Sequence, residues 1–231
     1  MLSYSLALLQ AVDLPDGAEA PAEESMTVLE TLMQGGWVMI PILILSILAI
    51  YLFAERMITI RKAASDPEHI TARVRDYVQS GDIRGAISFC NQLDKPMTRI
   101  LKRGLERLGR PISEIQDAVE AEGKNEAFKL EKRTDYLASI AGIAPLIGFF
   151  GTVLGMISAF QEIQRFEGNV NASVLAGGIW EALLTTAFGL AVGILALFFY
   201  NYVLSRIKRQ VNDMERTATD FIDLLQEPAT K

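Results

Sequence analysis

Three long apolar runs dominate the pattern of hydrophobic and polar positions along the chain. The first, residues 37–55, has no charged residue before its final position, and the second, residues 137–160, has none at all. The third, residues 176–202, contains Glu181 as its only charged residue. At about 1.5 Å per residue, each run can cross most or all of a hydrocarbon core of about 30 Å. The pattern therefore predicts three transmembrane helices with the chain termini on opposite sides.

Residues 56–136, between the first two runs, are predicted to form a helical domain. The helix-start and helix-break signals there are proline near a first turn, an acidic N-cap or glycine, and they occur at Asp66-Pro67, Gly81-Asp82, Pro96 and Pro111. From Ser113 to Tyr136 the chain is rich in Glu, Lys and Ala with mixed charges three and four apart, which predicts a helix continuing into the second span.

The tail, residues 203–231, is predicted to extend the third span as an amphipathic helix. Its apolar residues recur every three or four positions, at Ile207, Val211, Met214, Ala218, Phe221 and Leu225. The predicted fold class is an all-α integral membrane protein with three transmembrane helices, two of them extended into a cytoplasmic helical bundle.

The distribution of Lys and Arg predicts the orientation. None precedes residue 37, and Arg165 is the only one in the connection of residues 161–175. The others lie in residues 56–136 and in the tail, so these parts are expected in the cytoplasm and the 161–175 loop in the periplasm.

The N-terminal region is predicted to be a periplasmic segment, residues 1–25, followed by a short helix, residues 26–36, that leads into the membrane. The apolar residues 1–12 also resemble a signal peptide, but no Lys or Arg precedes them. That missing charge favours an uncleaved segment.

Composition agrees with a membrane protein and argues against several kinds of chemistry. Half of the 231 residues are apolar, and the net charge is -6. Cys90 is the only cysteine and His69 the only histidine, which argues against a disulfide within the chain and against a metal site. Because no phosphate loop, nucleophile elbow or zinc spacing occurs, we expect no enzyme activity, no cofactor and no nucleic-acid partner.

Small residues form one face of both the second and the third span, which allows another helix to approach closely. The glycines predicted to pack helices or to meet a partner are Gly148, Gly151, Gly155, Gly189 and Gly193. Helix packing alone is the alternative reading of such faces. Pro145, inside the second span, removes a backbone donor and predicts a kink or a free carbonyl at Ala141.

Glu181 is the first candidate for function, because an ionisable residue in a membrane helix is costly and usually faces protein or water. Thr152 and Thr186 are expected at similar depths, roughly 12 Å and 15 Å from the outer ends of their spans, with Glu181 at about 7 Å. Helical angles alone favour Thr185, four residues from Glu181, as its neighbour. Snorkelling of Glu181 toward headgroups is the alternative.

The second and third spans resemble the ExbB/TolQ/MotA proton-channel family, and ExbB most. The matching segments run from Ala144 to Met156 and from Glu181 to Leu190, followed by Tyr200-Asn201. One departure is Leu195, which stands where many relatives have a proline. The resemblance implies that Thr152, Glu181 and Thr186 line the proton pathway, and Thr185 is the alternative to Thr186.

The resemblance also implies partners and a location. An ExbB-like subunit would form a homopentamer in the bacterial inner membrane around an ExbD-like single-span subunit, and would pass energy from the proton gradient to a TonB-like protein for outer-membrane transport. The alternatives are a TolQ-like subunit for envelope maintenance, a structural membrane scaffold, and a MotA-like stator, which usually has four spans.

Overall fold

The computed structural model describes residues 35–165 and 172–226, with the backbone alone for residues 172–175. Residues 1–25, residues 26–34 of the predicted short helix and residues 166–171 of the predicted loop lie outside this part, as do residues 227–231. Within it the regular elements are seven helices and no strand: α1 (Met39–Ala63), α2 (Pro67–Gln79), α3 (Ile83–Leu93), α4 (Pro96–Leu105), α5 (Ile112–Glu131), α6 (Thr134–Arg165) and α7 (Ala172–Gln226).

Helices α1, α6 and α7 each contain a stretch long and apolar enough to cross a membrane. They expose large apolar side chains such as Ile47, Leu146 and Ile194, each at least 66% exposed, on surfaces that water would disfavour. An all-helical fold with three membrane-length helices is therefore confirmed. On the side of α7 that faces α1, the rings of Phe53 and Phe199 stack with centroids 4.2 Å apart.

The helix starts predicted between the first two spans are confirmed. Asp66 caps α2 by accepting hydrogen bonds from the backbone N–H groups of Glu68 and His69, and Pro67 occupies the first turn. Asp82 caps α3 in the same way by accepting from Gly85 N, after a break at Gly81 with φ +76°. Helix α4 begins at Pro96, and α5 begins directly after Pro111.

The prediction of one helix running from Ser113 to Tyr136 and on into the second span is wrong. Helix α5 ends at Glu131 and α6 begins at Thr134, with Arg133 at φ +70° between them. The guanidinium of Arg56, which is buried at the end of the first span, donates a hydrogen bond of 2.7 Å to the carbonyl of Lys132. Arg133 in turn pairs with Glu55 at 2.8 Å. The break thus supplies the acceptor that a buried arginine needs.

The prediction that the third span continues as an amphipathic helix is confirmed as far as Gln226, because α7 is one helix of 55 residues. Its Ile207, Met214 and Phe221 are buried. A Cβ added to Gly104 of α4 would lie 2.5 Å from the Phe221 ring, so the absence of a side chain at Gly104 makes room for that ring.

A buried carboxylate joins α4 to α5. Glu126 is 1% exposed and accepts from Arg99 through both oxygens, at 3.0 and 2.7 Å, and from Lys129 at 2.6 Å. Burial raises the pKa of Glu126, but the hydrogen bonds and positive charges of Arg99 and Lys129 outweigh burial, so the pKa lies below its usual value of 4.5. The ionised form of Glu126 therefore stabilises the fold.

Replacing Glu126 by Gln should destabilise the protein by about 3 kcal/mol, near the lower end for a broken buried pair because Arg99 keeps some solvent contact. The measurement is the thermal unfolding midpoint of the full chain in detergent. Because a lowered folded pKa contributes stability above the unfolded pKa of 4.5, the difference from wild type should be full at neutral pH. It should disappear as the pH falls through the folded pKa.

The matched control is Glu120→Gln on the same helix, where an exposed carboxylate pairs with Lys124 at 2.6 Å. This change should leave the midpoint unaltered, since exposed pairs contribute little. Equal shifts for the two variants, or a Glu126→Gln effect that persists at low pH, would contradict the role given to Glu126.

Candidate functional site

The small-residue faces of the second and third spans pack against each other within one chain. A Cβ added to Gly148 of α6 would lie 2.8 Å from the Thr185 carbonyl oxygen and 3.1 Å from the Gly189 Cα. A Cβ added to Gly189 would lie 2.7 Å from the Ala144 carbonyl oxygen. The two backbones therefore touch, which only glycine permits here.

The same packing continues toward both ends of the helix pair. A Cβ added to Gly155 would lie 2.8 Å from the Ala182 Cβ. At the other end, a Cβ added to Gly193 would lie 2.5 Å from the Pro145 ring and 3.1 Å from the Ala141 carbonyl oxygen. That carbonyl lacks its usual helical donor because Pro145 has no N–H. Pro145 thus presents its ring and the carbonyl of Ala141 to the bare backbone at Gly193.

The threonines of this helix pair bond to backbone carbonyls. Thr185 is 1% exposed, and its hydroxyl donates to the carbonyl of Ala182 at 2.8 Å and lies 3.4 Å from the carbonyl oxygen of Gly148. Thr186 is half-buried and donates to the same Gly148 carbonyl at 3.0 Å. Thr152 donates to Phe149 within its own helix at 2.6 Å. Two hydroxyls from α7 therefore converge on one carbonyl of α6.

Glu181 lies on a different side of α7 from Thr186. Its half-buried carboxyl group rests against Gly36, immediately before α1, where an added Cβ would collide with it. Thr185 also lies toward α1, because a Cβ on Gly151 would lie 2.7 Å from the Thr185 Cβ and 3.1 Å from Val38. Among the described residues no hydrogen bond joins Glu181 to a threonine.

The predicted site residues therefore divide between two sides of the α6–α7 pair. Gly151 faces Val38 next to α1, and Thr152 lies about 100° around α6 from Gly151, on the side away from Val38 and from α1. Glu181 and Thr185 face α1. Because Thr186 is about 100° around α7 from Thr185 and about 140° from Glu181, it lies on the side away from α1. Sequence reasoning missed Gly36, because nothing in the sequence near Gly36 shows which helix its backbone will meet.

Comparison with known proteins shows which protein family the helix pair belongs to. Residues 92–216 match the model of the MotA/TolQ/ExbB proton channel family, which is more than half of the chain. The chain belongs to this family. The match extends from α3 to the distal part of α7 and includes the whole contact between α6 and α7.

Individual relatives agree with this membership. An ExbB homolog from Methanothermobacter thermautotrophicus is 30% identical over 191 residues, covering 82% of this chain and 67% of the relative. The biopolymer transport protein ExbB of Neisseria meningitidis serogroup A is 29% identical, covering 80% and 88%. The Tol-Pal system protein TolQ of Haemophilus influenzae is 39% identical over 98 residues, covering 42% and 41%.

The family and the three membrane-length helices together identify an inner-membrane protein with an ExbB/TolQ-like proton-channel role. The family is one of channel and transport subunits and not an enzyme family. No group of three or more potential metal ligands occurs in the part of the chain that the structure describes.

The backbone contact at Gly189 predicts a strong effect of a single methyl group. Gly189→Ala should push α6 and α7 apart and cost about 1–3 kcal/mol, as overpacking does. The thermal midpoint in detergent should fall accordingly. Gly142→Ala on α6 is the control, because its Cβ would meet nothing within 4 Å. An equal loss of stability in both variants would show that helix propensity or assembly, not the contact at Gly189, sets the result.

Proposed function

We propose that this chain is the ExbB-like subunit of a motor that the proton-motive force drives, and that with an ExbD-like single-span partner it energises TonB-dependent outer-membrane transport. Support comes from the family membership and from the match to a meningococcal ExbB over most of both chains. A homopentamer around the partner's membrane helix is part of the proposal. The large apolar side chains that α6 exposes, including Leu146, Phe149 and Phe150, would be covered in such a ring or by lipid.

The proposed orientation places α2 to α5 and the distal half of α7 in the cytoplasm. The supporting observation is the position of Arg56, Lys132 and Arg133, which lie at the ends of the apolar stretches of α1 and α6 that join this polar domain. The opposite ends of the spans, including Gly36 and Glu181, then lie on the periplasmic side.

The position of the Thr186 hydroxyl is the main support for the proposed proton pathway. It lies at the contact between α6 and α7, donates to the Gly148 carbonyl and remains partly exposed on the side away from α1. Thr152 lies on that side as well. Polar groups at membrane depth normally face protein or water, so this side is the better candidate for the partner helix and the proton.

Thr185 is less suited to that role because its hydroxyl is buried between the carbonyls of Ala182 and Gly148 and donates to the nearer one, Ala182. Its hydroxyl serves packing in the proposed arrangement. Glu181 is proposed to take part in the proton pathway from the α1 side of the helix pair. A proton crossing a potential of 100 mV releases about 2.3 kcal/mol, enough to bias a movement of α1 or of a partner helix relative to the α6–α7 pair.

A TolQ-like role in envelope maintenance is the second candidate. The observation that favours it is the 39% identity to a Haemophilus influenzae TolQ over 98 residues. The two roles share a proton channel and differ in their partners. Restoration of TonB-dependent uptake in a strain that lacks its own ExbB supports the first role, whereas restoration of envelope integrity in a strain that lacks TolQ supports the second.

The central test is proton flux into liposomes that contain the full chain and an ExbD-like partner under an imposed potential. Thr186→Val removes the hydroxyl with little change of shape, so it should abolish most of the flux. Glu181→Gln should also reduce the flux. Thr185→Val is the matched control and should conduct nearly as well as wild type, because the hydroxyl it removes is buried in the helix contact.

Assembly must be checked in each variant by co-purification of the partner. Normal flux in both Thr186→Val and Glu181→Gln would contradict the proposed pathway. An assembled wild-type complex that conducts no protons, under any potential applied, would favour a structural scaffold instead.

A further inference from the structure

Gly36 combines a left-handed backbone conformation with a close approach of another helix's side chain. Its φ of +65° lies in the left-handed region, which favours glycine. In addition, the position of its missing side chain is taken by the carboxyl group of Glu181, with the Glu181 Cδ 2.9 Å and the Cγ 3.7 Å from where a Cβ would be. Any side chain at Gly36 would therefore displace the Glu181 carboxyl group.

The place where this carboxyl group rests is the start of a membrane helix. Gly36 accepts a hydrogen bond from the N–H of Met39 at 3.2 Å, and α1 begins at Met39. Val38, at the N-cap, has no side chain able to accept from the first turn. The start of a helix carries a partial positive charge that attracts a carboxylate. The first turn of α1 has no acidic residue of its own, and among the described residues Glu181 of α7 is the one that brings a carboxyl group next to Gly36.

We propose that Gly36 is a positioning residue for Glu181, holding the carboxyl group of the third span against the N-terminal end of the first span. This inference rests on the proposed proton channel for its function, although the contact itself does not. It gives α1 a part in the pathway: a movement of α1 relative to α7 would release the carboxyl group, and the return of α1 would hold it again.

The contact can be tested without any transport assay. Gly36→Cys and Glu181→Cys, combined in a Cys90→Ala background, should form a disulfide within one chain on mild oxidation. The two cysteines, joined in the disulfide, would then resist labelling by maleimide-polyethylene glycol until a reductant regenerates their thiols. The matched control combines Gly36→Cys with Leu183→Cys, since Leu183 is 61% exposed on the opposite side of α7. Equal protection of both pairs would overturn the contact.

The functional role is tested by proton flux from the full chain with its partner. Gly36→Ala should lose most of the flux because its methyl group displaces the carboxyl group. Gly81→Ala controls for backbone strain, because Gly81 has φ +76° and nothing within 4 Å of its Cβ position. This control should conduct as wild type does.

Rescue separates positioning from misfolding. The aspartate side chain is one methylene shorter than glutamate, so adding Glu181→Asp to Gly36→Ala should make room for the methyl group. The double variant should therefore regain part of the flux that Gly36→Ala loses. Glu181→Asp alone is the reference for this recovery. Normal flux in Gly36→Ala, or no recovery in the double variant, would overturn the positioning role. Normal flux in Glu181→Gln would remove the role of Glu181 in the channel, while the disulfide result would still decide whether the contact exists.

Discussion

The contact between the backbones of α6 and α7 at Gly148 and Gly189 is the constraint on which the rest of the structure depends. The two backbones are so close that a side chain larger than that of glycine does not fit at either position. The small residues that recur at the same spacing determine which face each helix turns to the other. Lipid tails are as apolar as the helices themselves, so close packing rather than water exclusion holds the pair together. The remaining faces of α6 and α7 are left for α1, for lipid and for partners.

Close packing also determines how the polar groups of the pair are satisfied. The carbonyl of Gly148 is reached by both threonine hydroxyls only because no side chain separates the two backbones there. Next to this point, Pro145 leaves the carbonyl of Ala141 without its helical donor, and that carbonyl lies against Gly193. Glycine and proline therefore make backbone carbonyl groups accessible at membrane depth without adding a charged side chain.

Features that depend on nearby sequence could be predicted, whereas features that depend on distant contacts could not. The three membrane-length helices follow from run length, and the start of α2 follows from Asp66 and Pro67. The break before α6 follows from Arg56, which is 76 positions from the carbonyl it binds. Sequence spacing likewise placed Glu181 and Thr185 on one face of a helix, but it could not show that this face meets the start of α1.

The division of the polar residues around the helix pair has a mechanical consequence. A pair of helices held by backbone contact deforms little along its shared face, because interiors packed this closely resist compression. The edges of the pair are less enclosed, because Glu181 is half-buried beside the start of α1 and Thr186 is partly exposed. A carboxyl group and a hydroxyl on opposite sides of a stiff pair can respond to different neighbours, the first to α1 and the second to a partner helix. In the proposed motor, coupling between proton movement and work would pass from one of these edges to the other through the α6–α7 pair.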